Sequence, residues 1–188
     1  TNFSTLNPNP RTVRDQKRSL SRANHIIAIS ENTKNDLLKL FDIQEQKVSV
    51  IHHGIIHRNI EYSESRLCKY PYILYVGTRG AHKNFNMFIK AFAKVHKIFP
   101  EIKLVCTFKP FNKLELELFK KLDILDAVIQ FSASEEQMNQ LYHDALFFCF
   151  PSLYEGFGMP ILEAFVNKCP VLLSNASCFP EIAQDAGL

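Results

Sequence analysis

From about residue 72 onward, short apolar runs alternate with stretches in which apolar residues recur at helical spacing. Residues 72–76 form a continuous apolar run that ends at Gly77, which predicts a buried strand. The following stretch has apolar residues three or four positions apart, which indicates a helix that buries one face. These residues are Phe85, Phe88, Ile89, Phe92, Val95 and Phe99. We expect Asn84 to cap this helix and Pro100 to end it, because a proline disfavours helical angles in the residue before it.

The alternation continues to the end of the sequence. Further strands are predicted over residues 103–108, 127–131, 146–150 and 171–173. Five strands that alternate with helices predict an α/β fold, a Rossmann-like parallel sheet with helices on both faces. An antiparallel arrangement would need hairpin turns, and the sequence contains no Asn-Gly or Asp-Gly pair.

The helices between these strands carry recognisable start signals. One is predicted over residues 113–122, and another follows a capping box made by Ser134 and Gln137. Pro160 suits the first turn of the next helix, and Pro180 opens a short last one.

A separate set of elements precedes this region. Two strands are predicted over residues 25–29 and 47–52, with a helix over residues 31–41 between them that Ser30 caps. Residues 58–69 are polar and predict a hinge or loop. We interpret the part before this loop as a partial or packed-on subdomain.

Composition narrows the class of protein. Of the 188 residues, 46% are hydrophobic and 22% are charged, which is typical of a globular protein and excludes intrinsic disorder. The formal net charge of +3 is too small to indicate a nucleic-acid partner. The five cysteines show no Cys-x-x-Cys spacing, so we expect reduced thiols rather than disulfides or zinc, and a reducing compartment such as the cytoplasm.

The loop after the first strand of the main sheet concentrates positive charge. Arg79, His82 and Lys83 lie just before the predicted helix, whose N-terminus already carries partial positive charge. A phosphate or diphosphate between them and the helix would resolve that repulsion, so we predict an anion site here. A solvated loop whose charges point to water is the alternative. The Gly-x-Gly-x-x-Gly dinucleotide pattern is absent, which disfavours a nicotinamide-dependent oxidoreductase.

Two carboxylates flank a glycine turn after the strand over residues 146–150. Glu155 lies in the loop, and Glu163 is expected in the first turn of the helix that Pro160 begins. A helix dipole alone would account for an acid at a helix start but not for a second acid eight positions earlier. Carboxylates accept hydrogen bonds from vicinal hydroxyls while amides donate to oxyanions, so the pair suits a ligand with both groups.

Several segments, in order, resemble the family 4 retaining nucleotide-sugar glycosyltransferases. PSLYEGFGMPILEA (residues 151–164) is similar to that family's E-x7-E signature, and YVGTRGAHKN (residues 75–84) to its phosphate-binding loop. Three further segments of the family have counterparts in HIIAISE (residues 25–31), VIHHG (residues 50–54) and SNASCFPE (residues 174–181), which resemble them.

The resemblance implies a GT-B enzyme with two Rossmann-like domains facing a cleft. On that basis residues 1–57 are the tail of the N-terminal, acceptor-side domain with its linker, and residues 58–188 are the C-terminal nucleotide-sugar-binding domain, truncated at its end. The whole enzyme would transfer a sugar, such as mannose, with retention of configuration. We expect the fragment alone to bind donor weakly and to lack transfer activity. A non-catalytic nucleotide-sugar-binding or structural module is the alternative.

The resemblance also implies roles for individual residues. Arg79, Lys83 and Glu155 would be catalytic: the two cations neutralise the diphosphate and Glu155 contacts the transferred sugar, while Glu163 binds the ribose hydroxyls. The remaining donor-binding positions would be Gly77, Thr78, Phe131, Ser132, Gly156, Phe157, Gly158, Met159 and Pro160. In this set Phe131 and Ser132 would lie beside the base, and the amides of residues 157–160 would hold sugar and phosphate.

The resemblance also implies which cofactors, substrates and acceptors to expect. No metal or other cofactor is expected; the substrate would be a GDP- or UDP-linked sugar, and the acceptor a saccharide or a lipid-linked molecule. His52, His53 and His57 could suggest a metal, but consecutive strand residues point to opposite faces. The residues Arg11, Arg14, Arg18 and Arg22 could form a basic helical face for peripheral membrane contact at the inner surface. A solvated face, or packing against the missing domain, is the simpler interpretation.

Two departures from the family pattern affect these expectations. The family's arginine often directly follows the glycine of the first strand, where this chain has Thr78, with Arg79 one place later. After the strand over residues 103–108 the family usually has glycines, whereas here Phe108 is followed by Lys109 and Pro110.

Overall fold

The computed structural model describes residues 10–56 and 60–188. The strands in this part of the chain form two parallel sheets. The smaller sheet pairs β1 (Ile26–Ala28) with β2 (Val48–Val50). Helix α1 (Pro10–Arg22) precedes β1, and α2 (Glu31–Leu40) connects the two strands. The predicted cap is confirmed, because the Ser30 side chain accepts a hydrogen bond from the Thr33 N–H. The predicted domain boundary at residues 57 and 58, and His57, lie outside the described residues.

The larger sheet has five parallel strands in the order β5-β4-β3-β6-β7. Their bounds are β3 Tyr72–Tyr75, β4 Lys103–Thr107, β5 Val128–Phe131, β6 Phe147–Phe150 and β7 Val171–Leu173. All four pairings are parallel, which confirms the predicted α/β, Rossmann-like sheet. The order reverses between β3 and β6, so the connections that leave these two strands run to opposite sides.

Five helices cover this sheet. They are α3 Phe85–Ile98, α4 Lys113–Lys121, α5 Glu135–Asp144, α6 Met159–Val166 and α7 Phe179–Ala183. The Ser134 and Gln137 capping box of α5 is confirmed, and Pro160 lies in the first turn of α6 as predicted.

Side chains of the central strand alternate between two buried clusters, one on each face of the sheet. Ile73 and Tyr75 pack in one cluster with α3 and α4 residues such as Phe92. Tyr72 and Leu74 pack in the other, whose members come from α5, α6 and α7. Because successive strand side chains point to opposite faces, these two clusters show that helices cover both sides.

Two details of α3 differ from the sequence expectation. Asn84 does not cap the helix with its side chain; its φ of 55° is left-handed, and its N–H instead ends the short 3-10 turn Ala81–Lys83. Asparagine tolerates this conformation better than most residues. Phe99 is half-exposed rather than buried because it follows the helix as its C-cap, where the helical period no longer applies. Val95, at the margin of the apolar stripe, is also exposed.

Candidate functional site

The loops that follow β3 and β6 meet at the carboxyl edge of the larger sheet. Their strands are hydrogen-bonded neighbours at the reversal of strand order, where open α/β sheets bind ligands. The loops are also joined directly, since the Leu153 N–H donates to the His82 carbonyl at 2.8 Å. The fold therefore brings the cationic loop with Lys83 next to the loop that carries Glu155.

Lys83 and Glu155 form an ion pair between these two loops. The Lys83 Nζ donates to Glu155 Oε1 at 2.6 Å, and the two side chains are only 16% and 15% exposed. The same ammonium lies 5.1 Å from the centroid of the Phe150 ring, within the range of a cation–π contact. The site thus contains a partly desolvated cation with one carboxylate partner.

The glycine turn after Glu155 leads directly into α6. Gly158 is the N-cap with φ 87°, a conformation that favours glycine, and a Cβ there would also press against the Phe179 ring at 3.0 Å. Gly158 offers no side chain to the first turn of α6. The Ile161 N–H there already donates to the Gly158 carbonyl at 2.8 Å, so Met159 carries the first-turn N–H for which the described residues provide no acceptor. Met159 and Pro160 open the helix and are half-buried. Pro160 has no N–H, so the expected amide donation from this position is wrong.

Residues of the N-terminal segment support the same turn. The Gly156 carbonyl accepts hydrogen bonds from Ser30 Oγ at 2.7 Å and from Thr33 Oγ1 at 3.2 Å. The buried Phe157 ring contacts both His52 and His53, with centroid distances of 5.7 and 5.0 Å. The smaller sheet therefore packs against the loop that carries Glu155.

Glu163 occupies a different part of the site. It is the fifth residue of α6, so it lies in the second helical turn and not in the first as predicted. Its Oε2 accepts a hydrogen bond from the Tyr142 hydroxyl at 2.9 Å. Burial, and then the neighbouring carboxylate, raise the pKa of Tyr142 well above its usual range, so this hydroxyl remains a donor.

A cavity of about 420 Å³ opens beside Glu163, between α5, α6 and the segment that includes Ile56 and Ile60. Tyr142, Met159 and Asn139 also line it, whereas Lys83 is not among its described lining residues. Glu163, but not Lys83, is therefore among the residues described as lining this cavity. The loop around Glu155 contacts Lys83 and continues directly into α6, the helix that carries Glu163.

Arg79 lies apart from this cluster. Its Nε donates to Glu115 Oε1 at 2.6 Å, and its Nη2 donates to the carbonyls of Lys109 and Pro110 at 2.8 and 2.9 Å. The Arg79 and Glu115 side chains are 7% and 11% exposed, and the guanidinium also stacks over the Phe111 ring. The structure does not bring Arg79 together with Lys83 and the two acids.

The remaining predicted residues lie along the same edge. Gly77 has φ 106°, and the Thr78 carbonyl accepts a hydrogen bond from the Tyr75 hydroxyl at 2.8 Å. Phe131 ends β5, and the Ser132 hydroxyl accepts from the Gln130 side chain at 3.0 Å.

Sequence reasoning gave no role to Ser177, which lies just before α7 and holds the Glu155 loop, or to Glu181 of α7, which holds the N-terminal segment. The Ser177 hydroxyl bonds to the Glu155 backbone, while Glu181 accepts from the Glu31 and Asn32 N–H groups and from His52. Burial pushes the pKa of Glu181 up, but the N–H of Glu31, His52 and the N–H of Asn32 together hold this pKa below its usual value. The motif over residues 174–181 pointed to this region without indicating which side chains act.

Three further observations concern cofactors and membranes. Within residues 10–56 and 60–188, no three His, Cys, Asp or Glu side chains form a group that could hold a metal ion. His52 and His53 contact Glu181 and Phe157 instead. No helix in the described part of the chain is both long and apolar enough to cross a bilayer.

Comparison with known proteins places this geometry in a family. Residues 59–187 match the description "Glycosyl transferases group 1", and residues 2–58 match "Glycosyltransferase Family 4". The O-antigen chain mannosyltransferase RfbU of Salmonella typhimurium is 28% identical over 173 residues, which are 92% of this chain and 48% of that protein. The MMP alpha-(1->4)-mannosyltransferase of Mycolicibacterium hassiacum is 27% identical over 177 residues, 93% of this chain and 43% of that protein.

A solved structure shares the fold. HepE of Anabaena, crystallised in complex with UDP and glucose, superposes with a TM-score of 0.80 over 94% of this chain and 52% of that chain, at 16% identity. The chain spans about half the length of the curated relatives that it matches. Because the first family description covers well over half of its residues, the chain belongs to the glycosyl transferases group 1 family.

Proposed function

We propose that the chain is the donor-binding part of a retaining hexosyltransferase that moves a mannosyl group from a nucleoside diphosphate sugar. The observation that carries this proposal is the Lys83–Glu155 pair, a partly buried cation and acid at the strand-order reversal of a glycosyltransferase fold. The choice of mannose rests on the names of the relatives, which are mannosyltransferases.

Lys83 supplies the positive charge for the diphosphate. When the sugar leaves, the bond between its anomeric carbon and the phosphate oxygen breaks and the electron pair stays on the diphosphate. A preorganised, partly desolvated ammonium stabilises that charge as it develops. The Met159 N–H at the start of α6 adds to this stabilisation, because Gly158 offers it no side-chain cap.

Glu155 and Glu163 hold the two ends of the donor. Glu155 accepts hydrogen bonds from hydroxyls of the transferred sugar, next to the diphosphate that Lys83 binds. Glu163, oriented by Tyr142, accepts from the ribose hydroxyls in the cavity of about 420 Å³, a volume within the usual range of ligand pockets. The base lies toward Phe131 and Ser132, and the donor is GDP- or UDP-linked.

Arg79 contributes indirectly in this proposal. A direct contact with diphosphate would require its guanidinium to leave Glu115 and two backbone carbonyls. We therefore assign neutralisation of the diphosphate to Lys83 and assign Arg79 to holding the loops after β3 and β4 together.

The acceptor is a saccharide or a lipid-linked molecule that binds on the N-terminal side. Arg14, Arg18 and Arg22 are exposed on α1 at spacings that put them on one face, which supports peripheral contact with an anionic membrane surface in the cytoplasm. The transfer uses no metal, since charge on the leaving group is met by protein groups.

Calorimetry on the 188-residue chain tests the donor role. GDP, UDP, GDP-mannose, UDP-glucose and NAD are titrated separately, and one nucleoside diphosphate with its sugar is expected to bind while NAD is not. Lys83→Gln is expected to weaken the diphosphate more than the nucleoside, and Lys90→Gln on the exposed side of α3 serves as the control for lost charge. Equal losses for diphosphate and nucleoside would overturn the assignment of Lys83.

The non-catalytic alternative makes a different prediction. It expects donor binding without transfer when the chain is joined to an acceptor-side domain from a relative. Transfer of labelled sugar by that fusion, lost on Glu155→Gln, supports the enzyme.

A further inference from the structure

Ser177 adopts a backbone conformation that serine rarely takes. It lies between β7 and α7 with φ 58°, in the left-handed region that favours glycine. A non-glycine residue is strained there and persists only where the surroundings determine its conformation. A residue with a side chain nevertheless occupies this strained position.

The Ser177 hydroxyl makes the hydrogen bonds that hold this residue in its conformation. Its Oγ donates to the Glu155 carbonyl at 2.6 Å and accepts from the Glu155 N–H at 3.1 Å, so one side chain satisfies both backbone groups of one residue. The Cys178 thiol donates to the same carbonyl at 3.3 Å. Asn32 Nδ2 of the N-terminal segment donates to Ser177 Oγ at 3.3 Å, which ties the hydroxyl to α2 as well.

The two peptide units that follow Glu155 are therefore held by side-chain donors at consecutive carbonyls. Ser177 and Cys178 hold the Glu155 carbonyl, and Ser30 holds that of Gly156. With its backbone fixed on both sides, Glu155 directs its carboxylate to Lys83.

We propose that Ser177 is a positioning residue for Glu155, and that it sets the affinity for the sugar part of the donor. This inference rests on the proposed function, in which Glu155 meets the sugar. Ser177 bonds neither to Lys83 nor to Glu163 in the described hydrogen-bond network. Its hydroxyl therefore changes the affinity for the sugar and not the affinity for the nucleotide. The quantity that it sets is the difference in affinity between the nucleoside diphosphate sugar and the nucleoside diphosphate alone.

Ser177→Gly is the informative variant. Glycine adopts a φ of 58° without strain, so the change removes the hydroxyl without penalising the backbone. We expect the melting temperature to be unchanged or higher and the nucleoside diphosphate to bind at least as tightly as before. The nucleoside diphosphate sugar should bind about 10-fold more weakly, as expected for a misplaced charged hydrogen bond. Asp123→Gly, with φ 57° at the opposite edge of the sheet, is the matched control and should change neither affinity.

A double-mutant cycle separates positioning from general stability. Since Ser177 acts through Glu155, Ser177→Gly should have no further effect on sugar affinity in a Glu155→Gln background. Additive losses, an unchanged affinity for the sugar donor in Ser177→Gly, or equal losses for diphosphate and sugar donor would each overturn the inference. A wild-type chain that binds no nucleoside diphosphate refutes the proposed function itself, which is a distinct result.

Discussion

Lys83 Nζ lies 2.6 Å from Glu155 Oε1, so each of the two charged groups assigned to the donor is the partner of the other. The side chains are mostly withdrawn from water, which strengthens their attraction relative to an exposed pair. A diphosphate that enters this site has to compete with a carboxylate for the same ammonium. The arrangement keeps both groups oriented before the donor arrives.

Glu155→Gln is therefore expected to tighten the binding of a nucleoside diphosphate that carries no sugar. The amide removes the competing charge and the repulsion of the diphosphate, and we expect an affinity about 3- to 10-fold higher by calorimetry. The same variant should bind the sugar donor no better than the diphosphate. Glu117→Gln, on the exposed face of α4, controls for the change in net charge. A weaker diphosphate affinity in Glu155→Gln would contradict the competition.

Removal of the Glu163 carboxylate is expected to weaken the whole nucleotide. Glu163→Ala loses charged hydrogen bonds to the ribose, about 1.5–3 kcal/mol, equivalent to roughly a 10- to 150-fold loss of affinity. Tyr142→Phe keeps the carboxylate but removes the hydroxyl that orients it, so its effect should be smaller and in the same direction. Comparison of ribo- and 2′-deoxyribonucleotides provides the check, because Glu163→Ala should abolish any preference between them.

The Arg79–Glu115 pair should contribute to stability. Glu115→Gln preserves the capping box with Asn112, since glutamine is equally suited to that position, but leaves the buried guanidinium without its counter-charge. We expect the free energy of unfolding in urea to fall by about 3 kcal/mol, as for other buried pairs that lose one partner. Replacing Glu45, the exposed partner of Lys34, should cost far less. A loss at Glu115 no larger than that at Glu45 would show that the pair is not structural.

Glu181 should make stability depend on pH in the acid range. Its pKa is lower in the folded chain than the ordinary value of 4.5, so the unfolded chain binds a proton more readily. The stability that Glu181 contributes is therefore complete above about pH 4.5 and is lost as the pH falls through the lower, folded value. Urea unfolding from pH 7 to pH 3 should show a shallower loss for Glu181→Gln than for the wild type. Parallel curves would rule out this contribution.

Much of the fold was predictable because strand and helix periods, proline positions and caps are local signals. Ser30, the box of Ser134 and Gln137, and Pro160 each set an element end that the structure confirms. Asn84 occupies the predicted N-cap position of α3, but its side chain makes no capping bond; its left-handed backbone depends on the turn before it, which periodicity does not report.

The site was only partly predictable, since side-chain partners far apart in sequence decide where a charge points. Lys83 and Glu155 could be placed together from the parallel sheet alone. Arg79 could not be separated from them, because its partner Glu115 lies 36 positions away on another helix. The motif over residues 174–181 contained Ser177 but did not single it out, because its role depends on a positive φ and on the backbone of a residue 22 positions earlier.

The hydrogen bonds from Ser30 and Thr33 to the Gly156 carbonyl cross the sequence border between the two family descriptions. A chimaera that joins this chain to a relative at that border would inherit the Glu155 loop from one parent and its supporting hydroxyls from the other. Enzyme engineers who exchange donor specificity should therefore transplant residues 26–52 together with the downstream half.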